Sequence, residues 1–94
     1  MTKRFRIQYD EAKNIANQQK HKGITLADAE PVFNDEMALT IQDPDHDEER
    51  WVTMGSDARG RILVVTYTYR DPNFVRVISA RLASRNERRR YLEA

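Results

Sequence analysis

Apart from its carboxylates, this 94-residue sequence offers few side chains able to move protons or hold anionic charge: two histidines, four tyrosines and sixteen lysines and arginines. Cysteine is absent, so no thiolate is available as nucleophile or soft metal ligand. His46 stands among Asp43, Asp45, Asp47, Glu48 and Glu49. Clustered carboxylates can hold Mg²⁺ or Ca²⁺, but this run lacks the glycine and the ligand spacing of an EF-hand. It reads as a solvated acidic loop, and neither a metal nor any other cofactor is assigned. The three glycines, at 23, 55 and 60, form no phosphate-cradling loop before a helix. There is no nucleophile-elbow pattern. No zinc-finger spacing occurs, and the two N-terminal helices carry too few basic residues for a DNA recognition helix.

Phosphodiester chemistry without a metal is what these residue types can do. RNA carries its own nucleophile, the 2′-OH. A protein has to position the strand, take that proton, stabilise the phosphorane and protonate the leaving 5′-oxygen. Lys20, His21, Arg61, Tyr67 and Arg81 are the candidates for catalysis, with Lys20 and His21 as the proton-transfer groups. Arg50, Trp51, Arg76, Arg85, Arg88 and Arg89 are candidates for holding RNA, and Trp51, Tyr67 or Tyr69 offer faces on which bases can stack. Each has a structural alternative. Lys20 and His21 at a helix end can serve only to complement its C-terminal dipole. Tyr67 can be a core residue with its hydroxyl satisfied. The arginines can simply solvate a helix face.

Charge is unevenly placed. Residues 1–49 carry six Lys/Arg against eleven Asp/Glu, a net −5; residues 50–94 carry ten arginines and no lysine against four Asp/Glu, a net +6. Arginine alone matches phosphate oxygens with a planar fork, so its exclusive use points the basic half toward phosphate.

The elements that must position these residues follow from periodicity. Phe5–Tyr9 alternates as a strand. Asp10 is an N-cap, with Glu11 in the first turn. The helix it opens should present Ala12, Ile15, Ala16 and Gln19 on one face and stop near Lys22-Gly23. Thr25, with Asp28 three residues on, opens a second helix with the stripe Leu26, Ala29, Val32 and Phe33, shortened or kinked at Pro31. Strands follow at Met37–Gln42 and Arg50–Gly55, a hairpin turn at 56–60, and an apolar strand at Arg61–Tyr69 that belongs at the sheet centre. After the turn Asp71-Pro72-Asn73 comes a strand at Phe74–Ala80, with Arg81 just beyond it. Ser84 and Glu87 then form a capping box for a final helix to Leu92. The order β-α-α-β-β-β-β-α predicts an α+β domain spanning 1–94. Four strands form an antiparallel meander, a fifth N-terminal strand joins them, and helices pack on one face. No apolar run reaches membrane-spanning length, and the basic Met1-Thr2-Lys3-Arg4 start leads into no apolar signal core. With no cysteine to cross-link, the expected location is the cytoplasm.

The residues in order resemble the BrnT family of toxins from type II toxin–antitoxin pairs. The matching pieces are Tyr9-Asp10-Glu11-Ala12-Lys13-Asn14, Asn17, Lys20-His21, Gly23-Ile24, Val32-Phe33-Asn34-Asp35 and Asp43-Pro44. They continue with Glu48-Glu49-Arg50-Trp51, Arg59-Gly60-Arg61, Val64-Val65-Thr66-Tyr67, Ile78-Ser79-Ala80-Arg81 and Glu87-Arg88-Arg89-Arg90-Tyr91. The family reads Lys-His-Gly where this chain has Lys22 between His21 and Gly23. The resemblance implies a RelE-like ribonuclease fold and a ribosome-independent or general RNase that halts growth. It also implies a cognate BrnA-like ribbon-helix-helix antitoxin, with operator DNA bound only through that antitoxin. The other reading of the same residues is a non-catalytic module whose arginines bind RNA or an acidic antitoxin in transcriptional autoregulation.

Overall fold

The computed structural model describes residues 6–43, 49–70 and 74–93. The basic residues 1–4, Phe5, most of the acidic loop (44–48) and the turn 71–73 lie outside them. The elements run β1 (Arg6–Gln8), α1 (Glu11–Lys20), a 3₁₀ helix (Leu26–Asn34), β2 (Leu39–Asp43), β3 (Arg50–Ser56), β4 (Ile62–Tyr69), β5 (Phe74–Leu82) and α2 (Arg85–Glu93). The sheet order is β1-β5-β4-β3-β2. β2 to β5 are the expected antiparallel meander, and β1 joins parallel to β5. The apolar β4 is central, with Leu63, Val64 and Val65 all buried.

One sheet face carries the core. Leu63, Val65 and Tyr67 of β4 and Val75, Val77 and Ala80 of β5 pack against Ile24 and the 3₁₀ residues Leu26, Ala29 and Val32. Val77 and Ala80 both face this core because a bulge between Thr66 and Tyr67 shifts the register and leaves Ile78 without a partner across the ladder. Gly55 admits the 3₁₀ helix closely: a Cβ there would lie 3.1 Å from Val32 Cγ1 and 3.2 Å from Ala38 Cβ.

Four details differ from the sequence reading. The stretch after Thr25 is 3₁₀ from Leu26 to Asn34, and Pro31 within it has no N–H to continue an α-helical ladder. β2 begins at Leu39, leaving Met37 exposed in a turn whose backbone bonds to Asp35. β5 runs on through Arg81. Most notably, α1 turns Ala12, Ile15, Ala16 and Gln19 to solvent, Ile15 being 51% exposed, and buries Asn14 and Asn17 instead.

Burying two carboxamides is tolerable only if their hydrogen bonds are made. They are. Asn14 Oδ1 accepts from Leu26 N–H at 2.8 Å; Asn17 Nδ2 donates to the carbonyls of Ile24 and Ala80, each at 2.8 Å, and its Oδ1 accepts from Ala80 N–H at 3.1 Å. β1 ends opposite Arg76, so Asn17 satisfies the β5 edge beyond the point where strand pairing stops.

α2 lies against the other sheet face, a further departure from the sequence reading, which packed the helices on one face: Val52, Met54 and Val64 point away from the core and also need cover. Glu87 and Arg90 border a cavity of about 120 Å³ floored by Leu39, Ile41, Val52, Met54 and Val64. None of the α2 residues is buried. Polar ties hold the helix: the Glu87–Arg81 pair, and Tyr91 Oη, which donates to Asp35 Oδ2 at 2.5 Å. Asp35 also accepts from the N–H groups of Met37 and Ser56. Burial works to raise its pKa, but these hydrogen bonds outweigh it and hold the carboxyl below its ordinary value. No helix among the described residues is long and apolar enough to cross a membrane.

Candidate active site

α1 begins where Asp10 Oδ2 accepts from Lys13 N–H at 3.0 Å. Its end shapes the site. His21 is the C-cap, and Gly23 N–H donates to Gln18 O at 2.8 Å, the six-to-one bond of a Schellman motif. Lys22 therefore occupies the position glycine ordinarily takes, with φ +55°, and Gly23 follows at φ +82°. Lys22 and Gly23 give the helix exit two successive left-handed residues, and the Lys22 side chain joins the neighbouring cations.

Lys20, His21 and Lys22 line one cleft with Arg81 and Leu82, about 250 Å³ in volume. Asn17, one turn before Lys20, makes this meeting possible by tying α1 to Ala80, the residue before Arg81. Arg81 itself is gripped from below. Its Nη1 donates to Glu87 Oε1 at 2.8 Å and its Nη2 to Oε2 at 2.9 Å, while Nη1 also reaches Leu82 O at 3.3 Å. The Nε–H and one Nη2–H carry no partner among the described residues. Hydrogen bonds from Arg81 hold the Glu87 carboxyl at about 2, and the same bonds raise the pKa of Arg81. The pair is fully ionised at neutral pH.

The remaining candidates lie in other places. Tyr67 is in the core at 3% exposure, edge-on to Phe33 with ring centroids 4.8 Å apart. Its hydroxyl bonds Thr53 Oγ1 at 2.7 Å, which in turn bonds Thr40. Burial pushes the phenol up to about 12, so it stays protonated and does not line the cleft. Arg61 Nε donates to Asp57 Oδ2 at 2.7 Å, and its Nη2 reaches Asp28 at 3.3 Å. It staples the β3–β4 turn to the start of the 3₁₀ helix, where Thr25 and Asp28 form the expected capping box. Arg50 and Trp51 begin β3 at the opposite sheet end, Trp51 edge-on to Tyr69 at 6.0 Å. Arg76 lies in a groove with Ile7, Gln8, Tyr9 and Asp10. Arg85, Arg88 and Arg89, at spacings of three and four, share one exposed side of α2.

The cleft can hold an anion: three cationic or protonatable groups and an arginine line it, and the Glu87 carboxylate that meets this arginine is already taken up by Arg81 and Ser84. Composition and pattern did not reveal Asn17 or Glu87 as parts of this site. Asn17 reads as a surface helix residue until its two carbonyl partners are seen, and Glu87 reads only as a cap.

Residues 9–87 match the family described as ribonuclease toxin, BrnT, of type II toxin–antitoxin systems. The chain belongs to the BrnT family. Its fold agrees with that of the Brucella abortus ribonuclease toxin, BrnT, known from a 1.1 Å crystal structure: the TM-score is 0.67 at 26% identity, over 86% of this chain and 99% of that one. No curated protein matches the sequence. The BrnT family is one of ribonuclease toxins from type II toxin–antitoxin systems, which supports ribonuclease activity at the level of the family and implies an antitoxin partner and an RNA substrate.

Proposed function

We propose that this BrnT family member is a metal-independent endoribonuclease whose site is the cleft between the end of α1 and the end of β5. The observation that carries the reading is the convergence of Lys20, His21 and Lys22 with Arg81. In this mechanism a phosphate of the RNA strand seats against Arg81. Lys20 and His21 take the proton of the 2′-OH and supply one to the leaving 5′-oxygen. Arg81 and Lys22 neutralise charge on the phosphorane. The exposed side of α2, with Arg85, Arg88 and Arg89, draws in the strand, and Arg50, Trp51 and Arg76 form a second contact region at the far end of the sheet. Arg61 and Tyr67 serve this site from a distance by fixing the turn and the core.

The consequence for a bacterial host is growth inhibition by RNA cleavage in the cytoplasm. A BrnA-like ribbon-helix-helix antitoxin would neutralise the toxin and carry the pair to operator DNA.

The test is incubation of purified protein with RNA in EDTA, followed by analysis of the product ends. Ends bearing 2′,3′-cyclic phosphate or 3′-phosphate support the reading, and 5′-phosphate ends or a strict metal requirement overturn it. Salt-sensitive RNA binding without cleavage would favour the alternative, a non-catalytic RNA- or antitoxin-binding module.

A further inference from the structure

Arg81 presents three edges. One, formed by Nη1 and Nη2, is filled by the Glu87 carboxylate. Another turns back toward its own chain, where Nη1 meets Leu82 O. The third, formed by Nε and Nη2, is the one a phosphate can take with two parallel hydrogen bonds. We propose that Glu87 is a positioning residue: by taking the end edge of the guanidinium it locks the Arg81 plane so that the Nε–Nη2 edge meets a phosphate in the cleft. The inference rests on the reading of that cleft as the place of RNA cleavage.

Three observations carry it. First, Glu87 is itself fixed. Its Oε1 accepts from Ser84 N–H at 2.8 Å and its own N–H donates to Ser84 Oγ at 3.2 Å, so the carboxylate is built into the first turn of α2. Second, Arg81 stands on a paired strand, opposite the buried Val64 of the central β4. Both ends of the ion pair are thus anchored to regular structure. Third, the pair is partly open to solvent, with side-chain exposures of 42% for Arg81 and 31% for Glu87. An arginine this exposed would otherwise sample many rotamers, and holding it in one is what a charge-stabilising donor needs. The opposite role, in which Glu87 masks Arg81 until RNA displaces it, is unnecessary because a bidentate edge carries no partner among the described residues.

The test is a double-mutant cycle on single-turnover and steady-state RNA cleavage, using Glu87→Gln, Arg81→Ala and the double variant, with Ser84→Ala as a control. Glu87→Gln keeps an oxygen for the Ser84 cap but sets an amide N–H₂ against Nη2, breaking the fork alone. Ser84→Ala weakens the cap and leaves the fork. Circular dichroism verifies that each variant is folded. The expected result is a kcat for Glu87→Gln lower by roughly ten- to a hundredfold with KM little changed. Ser84→Ala should stay near wild type, and Glu87→Gln should have no further effect once Arg81 is alanine. Faster cleavage by Glu87→Gln, or the same loss in the Arg81→Ala background, overturns the inference while leaving the cleft as the site. Absence of cleavage by the unmodified protein removes the underlying reading, and the inference with it.

Discussion

The carboxamide of Asn17 grips Ala80 by both backbone groups, donating to its carbonyl at 2.8 Å and accepting from its N–H at 3.1 Å. The two residues belong to opposite ends of the chain. Each lies just before a part of the cleft, Asn17 one helical turn ahead of Lys20 and His21, Ala80 immediately ahead of Arg81. Asn17→Ala would leave two carbonyls and one N–H buried without partners. The expected loss is on the order of 3 kcal/mol, read as a lower urea midpoint. Asn17→Asp should be similarly harmful, because an ionised carboxylate cannot donate to the Ile24 and Ala80 carbonyls. In both variants RNA cleavage per folded molecule should drop, since Lys20 and His21 lose their register with Arg81.

The left-handed Lys22 gives a prediction of opposite sign. A side chain at φ +55° costs roughly 1 kcal/mol relative to glycine, which takes this Schellman position freely. Lys22→Gly should therefore raise the thermal midpoint. If Lys22 also helps neutralise the phosphorane, the same variant cleaves more slowly, a gain in stability accompanied by a loss in rate.

Acid sensitivity follows from Glu87. Hydrogen bonds from Arg81 lower its carboxyl from 4.5 to about 2 in the folded chain. A depressed carboxyl stabilises the fold wherever it is ionised. Its contribution is complete above pH 4.5 and disappears as the pH falls through that interval to about 2. Thermal midpoints measured across this range should fall less steeply for Glu87→Gln than for wild type.

Tyr67 separates a structural role from a chemical one. Its hydroxyl completes a buried chain with Thr53 and Thr40, and burial holds it protonated to about pH 12. Tyr67→Phe should cost about 1 kcal/mol in denaturant unfolding and leave the cleavage rate of the folded protein unchanged. A large rate loss without a stability change would instead place Tyr67 in the chemistry.

Much of the fold was legible because strands and caps leave local marks. Asp10, Thr25 with Asp28, and Ser84 with Glu87 all cap as their spacing predicts. The apolar segment Arg61–Tyr69 marked the centre of the sheet, where β4 lies. The failures share one cause: polar residues paired across long sequence separations. Ile15 looked like the inward residue of α1 on hydropathy, yet Asn14 and Asn17 are buried because their partners come from the segment after α1 and from β5. Arg61 and Arg81 looked alike as strand-end arginines. Asp57 and Asp28 fix one in a turn, and Glu87 holds the other beside the cleft by a single carboxylate. Nothing in local periodicity distinguishes them.

The most direct measurement of the central claim is the single-turnover rate of RNA cleavage in EDTA by wild type and by Arg81→Ala, with folding verified for both. Wild type should cleave, and the variant should be slower by about 10²-fold or more, the usual loss on removing a donor that stabilises transition-state charge. An Arg81→Ala protein that cleaves as fast as wild type would contradict the assignment of the site to this cleft.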